Sequence, residues 1–331
     1  MTSPQQIEIL DIRHFSAKQL RPLLDEEAAV WLRNLRWDYR SSTNLLLDYL
    51  DSRILPGFVA LDRGRVCGYT FCVYEGHKAV IGDLYTAADH PAPLTVAHTM
   101  ARHLLEALET SPEIIRIEAQ LLLFDSGVLR PIFSNLNPHS PAFTVFPRLF
   151  LERMLPQRAV AEPALPAGLE FCPWSSSFYQ ASAELIHASY AGHIDSAIND
   201  QYRSLAGSVR FLHNIVRFPG CGVFDPQSSW ALRDRHTNAL VAIILCSRVA
   251  PDTAHVTQLC VAPAFRGRGL GDLLLQSAMG RMPSQRYSAI TLTVSEDNVA
   301  ALRLYLAADF TTRHRFDALV LDKKPHRLRL I

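Results

Sequence analysis

The stretch that most constrains this chain is Phe265–Leu275, FRGRGLGDLLL, in which Gly267, Gly269 and Gly271 alternate with Arg266, Arg268 and Leu270 before the sequence turns apolar. The β-rich run Ala254–Val261 leads into it and a helical pattern, Asp272–Met282, leaves it, so it joins a strand to a helix. A P-loop needs Gly-Lys followed by Ser or Thr, whereas Gly271 is followed by Asp272. A dinucleotide fingerprint needs a third glycine where Asp272 stands, inside a parallel βαβ unit that the flanking sequence lacks. A plain basic turn and a phosphate cradle remain. Three features favour the cradle. The glycines let the backbone approach a ligand and present its N–H groups, the helix start adds unpaired N–H groups and a positive dipole end, and two arginines add charge. With 33 Lys and Arg against 32 Asp and Glu, the net charge of +1 creates no overall field for nucleic acid or a membrane surface, so an anion site must be local.

At 331 residues the chain is long enough for two domains. The seam falls at Pro156–Gly168, PQRAVAEPALPAG, where three prolines interrupt the apolar periodicity. The expected division is therefore 1–155, a linker at 156–167, and 168–331. After the seam, Phe178–Tyr190 and Gln201–Phe218 read as helices, followed by strands at Ser229–Leu232, Ala239–Val249 and Ala254–Val261. Beyond the glycine turn come a helix, a strand at Ile290–Val294, a helix at Asn298–Ala308, and a closing hairpin of Phe310–Phe316 and Ala318–Leu321. The first half repeats this order, with helices at Ala28–Leu35 and Asn44–Leu50, strands at Gly57–Leu61, Val66–Tyr74 and Ala79–Tyr85, a helix at Thr95–Leu108 and a strand at Ile114–Leu121. A shared order of elements points to a duplicated unit. The six cysteines form no Cys-x-x-Cys pair, His77, His90, His98 and His103 are dispersed, and no metal is expected. The N-terminus lacks a signal core and the longest apolar run, Ala239–Cys246, falls short of a membrane span, so a cytoplasmic protein is expected.

Taken together, QLCVAPAFRGRGLGDLLL and LTVSEDNVAALRLYLAADF carry a pattern of Pro263, Arg266-x-x-Gly269-x-Gly271, and Asn298-x-x-Ala301-x-x-Leu304-Tyr305. Over about Gly168–Ile331 this resembles the GNAT superfamily of acetyl-CoA-dependent N-acetyltransferases. The fold class implied is α/β (α+β), with two tandem GNAT-like domains, each a mostly antiparallel mixed β-sheet flanked by helices. The resemblance implies that Arg266, Gly267, Arg268, Gly269, Leu270 and Gly271 bind the pyrophosphate of acetyl-CoA. It also implies that Leu259, Cys260 and Val261 pair with the pantetheine arm, with a main-chain N–H near Cys260 or Val261 polarising the thioester oxygen.

Asn298 and Tyr305 lie seven residues apart, close to two helical turns, and so share a helix face. The resemblance makes Tyr305 the general acid for the CoA thiolate and Asn298 a partner of the cofactor arm. His255 lies where one branch of the family carries a catalytic glutamate and is the candidate base. His193, in YAGHIDSA, is a second candidate near the acceptor cleft. Glu296 and Asp297 read as ordinary helix-start acids, and Arg217–Pro226, with Cys221, as an acceptor-loop segment. The expected acceptor is a small-molecule amine, with a protein N-terminus or lysine as the alternative and a non-catalytic acetyl-CoA-binding scaffold as the rival. Opposite the cradle, the first half carries Pro91, Ala92, Pro93, Leu94, Thr95 and Val96, with no glycine and no arginine. That half is therefore expected to be degenerate and not to bind CoA in the usual way.

Overall fold

The structure, a computed structural model, describes residues 7–134, 142–156, 164–218 and 220–323. The chain runs through β1 (Ile7–Asp11), α1 (Ala17–Leu35), α2 (Arg40–Asp51), β2 (Gly57–Asp62), β3 (Arg65–Glu75), β4 (Lys78–Thr86), α3 (Pro93–Thr110), β5 (Arg116–Gln120), α4 (Arg130–Ser134) and β6 (Thr144–Met154). It continues through β7 (Leu169–Pro173), α5 (Tyr179–Tyr190), α6 (Asp195–Ile198), α7 (Leu205–Arg217), β8 (Val223–Phe224), β9 (Trp230–Asp234), β10 (Leu240–Ala250), β11 (Thr253–Val261), α8 (Leu270–Arg281), β12 (Ala289–Ser295), α9 (Val299–Ala307) and β13 (Thr311–Asp322).

Two compact units emerge. The first takes its described residues from Met1–Trp31, Arg40–Pro147 and Phe316–Ile331, and the second from Leu32–Tyr39 and Arg148–Arg315. This differs from a linear division into 1–155 and 168–331, and the cause is strand pairing. Arg148–Met154 pairs residue by residue with Ser295–Ala289 in the second unit, while Ala318–Asp322 pairs with Gln120–Arg116 in the first. A strand belongs to the sheet that satisfies its backbone N–H and C=O groups, wherever it falls in the sequence. Residues 157–163, most of the expected linker, lie outside the described residues.

Each unit is built on the same plan. In the first, the order is β1-β2-β3-β4-β5 followed by the Ala318–Asp322 stretch of β13. In the second, the order read from the corresponding edge is β7-β9-β10-β11-β12, followed by the Arg148–Met154 stretch of β6. All neighbours are antiparallel except β4 with β5 and β11 with β12. The duplicated α+β unit expected from the repeated element order is thus the observed fold.

Helices cover both faces of each sheet. In the first unit Met100, Leu104 and Leu108 of α3 pack with Ile81 and Ile117, while Leu20, Leu24 and Leu47 from α1 and α2 pack with Val59 and Tyr69. In the second, Leu274, Leu275 and Ala278 of α8 pack with Val256 and Leu292, and Ile186 and Leu212 from α5 and α7 pack with Ile243 and Leu245. β10 is consequently buried on both faces and reads as a nearly unbroken apolar run. Among the described residues no helix is long and apolar enough to cross a membrane.

Several elements escaped the sequence reading. β1, β6 and β7 were not expected, and α1 begins at Ala17 despite carrying Pro22. The expected final hairpin is a single strand, β13. Asp317, which falls between the two halves of the expected hairpin, lies within that strand, and its carboxylate accepts hydrogen bonds from the Ser126 hydroxyl (2.7 Å), the Gly127 N–H (2.8 Å) and the Arg130 guanidinium (2.7 Å).

One buried acid sets a measurable property of the first unit. Glu27 on α1 is fully buried, accepting hydrogen bonds from the Trp31 indole (3.2 Å) and from the Tyr69 hydroxyl. Burial, reinforced by the neighbouring Asp83 carboxyl, holds its pKa well above the ordinary carboxylate range. Folding then takes up a proton once the unfolded carboxyl would ionise. The contribution of Glu27 is full below the unfolded pKa and is lost as pH rises towards the folded pKa, by up to about 1.4 kcal/mol per pH unit. Urea denaturation between pH 5 and 8 should show wild-type stability falling with pH, and Glu27→Gln should flatten that fall. An unchanged slope in the variant would mean that Glu27 is ionised in the fold.

Candidate active site

β11 and β12 pair in parallel only from Thr253–Ala289 to Val256–Leu292. Immediately beyond, the β10–β11 ladder shifts register around Thr257, whose hydroxyl bonds the Leu245 carbonyl at 3.0 Å. Such a bulge bends a strand and increases its twist. From there β11 stays on β10 through Val261, and among the described residues it has no further strand pairing on the β12 side. Ala262 N–H donates to Val241 O at 2.8 Å on the β10 side, and Cys260 stands opposite Ile243. Strand alternation then turns the N–H groups of Leu259 and Val261 towards the open edge and that of Cys260 towards β10.

The glycine stretch follows directly. Gly267 (φ +74°) and Gly269 (φ +71°) adopt left-handed backbone, and α8 begins at Leu270. A Cβ at either glycine would meet nothing within 4 Å, so conformation and not crowding demands glycine there. Gly271 differs, because its Cβ would lie 3.1 Å from Leu304 on α9 and 3.7 Å from Val261. It is therefore a packing glycine. Both arginines bond main-chain carbonyls. Arg266 donates to the carbonyls of Ser189 (2.5 Å) and Val261 (3.3 Å), and Arg268 donates to Ala264 O at 3.1 Å with its guanidinium 5.0 Å from the centre of the Phe265 ring.

Across the opening stands α9. Asn298 caps it by accepting from Ala301 N–H at 3.3 Å, and Tyr305 follows two turns later. A cavity of about 490 Å³ is lined by Leu259, Cys260, Val261, Arg266, Gly267, Gly269, Leu270, Gly271, Asn298 and Tyr305. Of the residues singled out from sequence, Arg268 and His255 are not among those lining it. Tyr305 is buried, and that burial raises its pKa above the ordinary phenol value, with the charges of Asp195 and Cys260 adding to the shift. Its hydroxyl accordingly remains protonated through the physiological range. Burial likewise pushes the Cys260 thiol up to about 12, so little thiolate forms there.

His255 belongs to a different environment. Its ring is packed beside Trp37 (centroids 4.9 Å) and Phe150 (5.8 Å), and Nδ1 lies 2.9 Å from the Thr291 hydroxyl. Burial, with the Arg148 charge, lowers its pKa to about 3. That placement gives His255 a core role and no access to the cavity as a base. His193 does line the cavity, its ring 5.0 Å from that of Tyr190. Glu296 is held by the Arg315 guanidinium at 2.6 and 2.7 Å, and Cys221 is exposed.

Ser189, Tyr190 and Asp272, which line the cavity, were missed from sequence, and Gln258 and Tyr202 stand behind Tyr190. Tyr190 lines the cavity and accepts from the Gln258 amide at 2.9 Å, and Gln258 accepts in turn from the Tyr202 hydroxyl at 3.3 Å. The signal that was available is Gln258 itself, a polar side chain next to the apolar end of its strand, Leu259–Val261. Among the described residues no group of three or more potential metal ligands occurs.

An open-edged strand, a left-handed glycine loop at a helix start and a facing Asn-to-Tyr helix, repeated in scaffold if not in detail by a second unit, define a class. Residues 194–310, which hold this arrangement, match the acetyltransferase (GNAT) family. A stretch of 75 residues is 36% identical to an L-2,4-diaminobutyric acid acetyltransferase of Nocardia farcinica, covering 21% of this chain and 39% of that protein. The chain thus matches well under half the length of this relative. Similar solved structures include a GCN5-related N-acetyltransferase from Sphaerobacter thermophilus (TM-score 0.62, 15% identity, 96% of each chain). A tandem GNAT protein from the clavulanic acid biosynthesis pathway is also similar (TM-score 0.59, 14% identity, 96% of this chain and 98% of that one). These two likenesses are of fold.

A β-branched side chain in left-handed backbone costs of order 1–3 kcal/mol. Gly269→Val should therefore weaken acetyl-CoA binding about tenfold or more in calorimetry while leaving the far-ultraviolet circular dichroism spectrum unchanged. Undiminished binding would remove the loop from the cofactor site.

Proposed function

We propose that this chain is an N-acetyltransferase that moves an acetyl group from acetyl-CoA to the primary amine of a small-molecule acceptor. The observation that carries this reading is one cavity joining the glycine loop, the open edge of β11 and the Tyr305 phenol. The fit of CoA rests on three of its features. The loop presents main-chain N–H groups free of Cβ crowding at Gly267 and Gly269, the α8 N-terminus contributes a positive dipole end, and Arg266 lines the same wall.

Acetyl-CoA, when bound, supplies the activated acyl carbon and a thiolate leaving group. The chain supplies the rest. Arg266–Gly271 holds the pyrophosphate, and the outward N–H groups of Leu259 and Val261 pair with the pantetheine arm and polarise the thioester oxygen. Asn298 holds the arm near its reacting end. The neutral amine attacks directly, as the carbon–sulfur bond breaks the sulfur takes the Tyr305 proton, and the proton shed by the nitrogen passes to solvent, from which the Tyr305 phenolate is reprotonated. Direct transfer agrees with a Cys260 thiol that burial keeps protonated. The local likeness to a diaminobutyric acid acetyltransferase supports a small-molecule acceptor.

The first unit is read as silent towards CoA. At the positions equivalent to the cradle, Pro91 and Pro93 have no N–H to offer. The intervening Ala92 N–H is taken by His90 Nδ1 at 3.1 Å, and the Ala88 N–H by the Glu26 carboxylate at 2.7 Å. These two donors are engaged within the unit.

Tyr305→Phe should lower kcat by about 10²–10⁴-fold with the KM for acetyl-CoA little changed. An unaltered kcat would exclude Tyr305 as the acid. Calorimetry should register one acetyl-CoA per chain, and two equivalents would overturn the silence of the first unit.

A further inference from the structure

We propose that Tyr190 and His193 select the amine used in this cavity, each donating a hydrogen bond to oxygen that the amine carries as a carbonyl or a carboxylate. The inference deepens the acetyltransferase reading of the same cavity and rests on it.

Acetyl-CoA, as placed above, takes up the glycine loop with Arg266, the edge of β11, Asn298 and Tyr305. The polar side chains that remain on the cavity wall are Ser189, Tyr190, His193 and Asp272. The Ser189 hydroxyl donates to the Val261 carbonyl at 3.3 Å. Asp272 stands in the first turn of α8, beside the glycine loop, and accepts from the Gln276 amide at 3.3 Å. Tyr190 and His193 come from elsewhere, the end of α5 and the turn after it. That turn is closed by the His193 N–H on the Tyr190 carbonyl at 3.0 Å, and Gly192 within it takes left-handed backbone (φ +70°). It brings the two rings edge to face, their centres 5.0 Å apart.

Each side chain has its accepting atom engaged inside the protein and its hydrogen left over. The Tyr190 oxygen accepts from the Gln258 amide at 2.9 Å, and the Tyr202 hydroxyl, donating to Gln258 Oε1 at 3.3 Å, fixes which way that amide faces. The Tyr190 ring is itself stacked on Tyr202 with centres 4.2 Å apart. His193 Nδ1 accepts the Asp195 main-chain N–H at 3.1 Å, so the neutral ring carries its proton on Nε2. The nearest Asp195 carboxylate oxygen lies 3.7 Å from Nδ1, beyond hydrogen-bond range. Among the described residues neither the Tyr190 O–H nor the His193 Nε2–H has an acceptor. Two neighbouring donors in this state call for the same partner, oxygen lone pairs. A hydrocarbon chain in their place leaves both unpaired, and an unpaired donor shut off from water costs more than a made bond gains. A site built to bond an oxygen therefore rejects the analogue that lacks it.

The test uses the full chain with β-alaninamide and β-alanine, which carry the oxygen, and n-butylamine, which places a methyl there. The three differ in basicity, so the reading is the change in their relative kcat/KM on substitution. Tyr190→Phe keeps the ring on Tyr202 and removes the hydroxyl. His193→Asn keeps a side-chain oxygen for the Asp195 N–H and removes the ring donor. Each should raise the KM for the favoured oxygen-bearing amine about threefold to tenfold, with the KM for n-butylamine and for acetyl-CoA within about twofold of wild type. The unchanged acetyl-CoA KM also shows that the variant is folded. A preference that survives in either variant, or an equal loss with n-butylamine, would overturn the proposal. Calorimetry of β-alaninamide and β-alanine against CoA-saturated protein separates it from the reading beneath. Binding that weakens in both variants without any acetyl transfer would overturn the acetyltransferase reading and leave Tyr190 and His193 as the recognition pair. No binding of either amine by wild type would overturn the pair.

Discussion

Everything in the candidate site depends on two strands that begin as partners and then separate. The four paired positions from Thr253 to Val256 hold β11 and β12 together, and the irregularity at Thr257 lets β11 follow β10 alone. Backbone donors that lose a strand partner inside a protein demand another. Here that demand falls on Leu259 and Val261, immediately before the glycine loop. The fold produces a strand edge that is open, short and protected, with Arg266 and Ser189 tying down the Val261 carbonyl at its end. Ligand recognition by main chain requires such an edge and little side-chain chemistry.

The first unit shows what the same scaffold does without the loop. Its parallel pair, β4 with β5, also stops after four positions, at Ile81–Ala119, and its β3–β4 ladder also shifts register, between Asp83 and Ile81. The corresponding strand end is occupied by protein. Glu26 Oε1 accepts from both the Tyr85 hydroxyl (2.8 Å) and the Ala88 N–H (2.7 Å), and His90 folds back onto Ala92. Where one unit leaves strand-edge donors available, the other engages the N–H groups of Ala88 and Ala92 with two side chains of its own.

The glycine loop, the strand before it and the Asn298–Tyr305 helix, which line one cavity, were legible in the sequence because their signals are local. Glycine alternation, the strand before it and the seven-residue spacing of Asn298 and Tyr305 all lie within about fifty residues and each has a direct backbone meaning. The contacts between distant segments around that cavity were not legible. Asp195 meets Ser295 across 100 positions of sequence, and Tyr190 meets Gln258 across 68, contacts that no periodicity encodes. His255 misled for the same reason. A strand histidine six residues before Val261 has the right address, but Trp37, arriving from the Leu32–Tyr39 segment, packs against it. The unit boundaries were misread because Arg148–Met154 and Ala318–Asp322 are recruited by pairing at a distance.

That recruitment has a consequence for synthesis. The sheet of the first unit is not complete until Ala318–Asp322 has been made, almost 200 residues after its partner strand Arg116–Gln120. While the ribosome works through the second unit, β5 keeps an unsatisfied edge and Lys323 has not yet reached the α3 carbonyls of Leu108 and Glu109 that it will cap. The second unit, whose closing strand Arg148–Met154 precedes the rest of its sheet, carries no such debt. Although it comes later in the sequence, it is the unit able to finish its sheet first, and the earlier one must wait for the last strand.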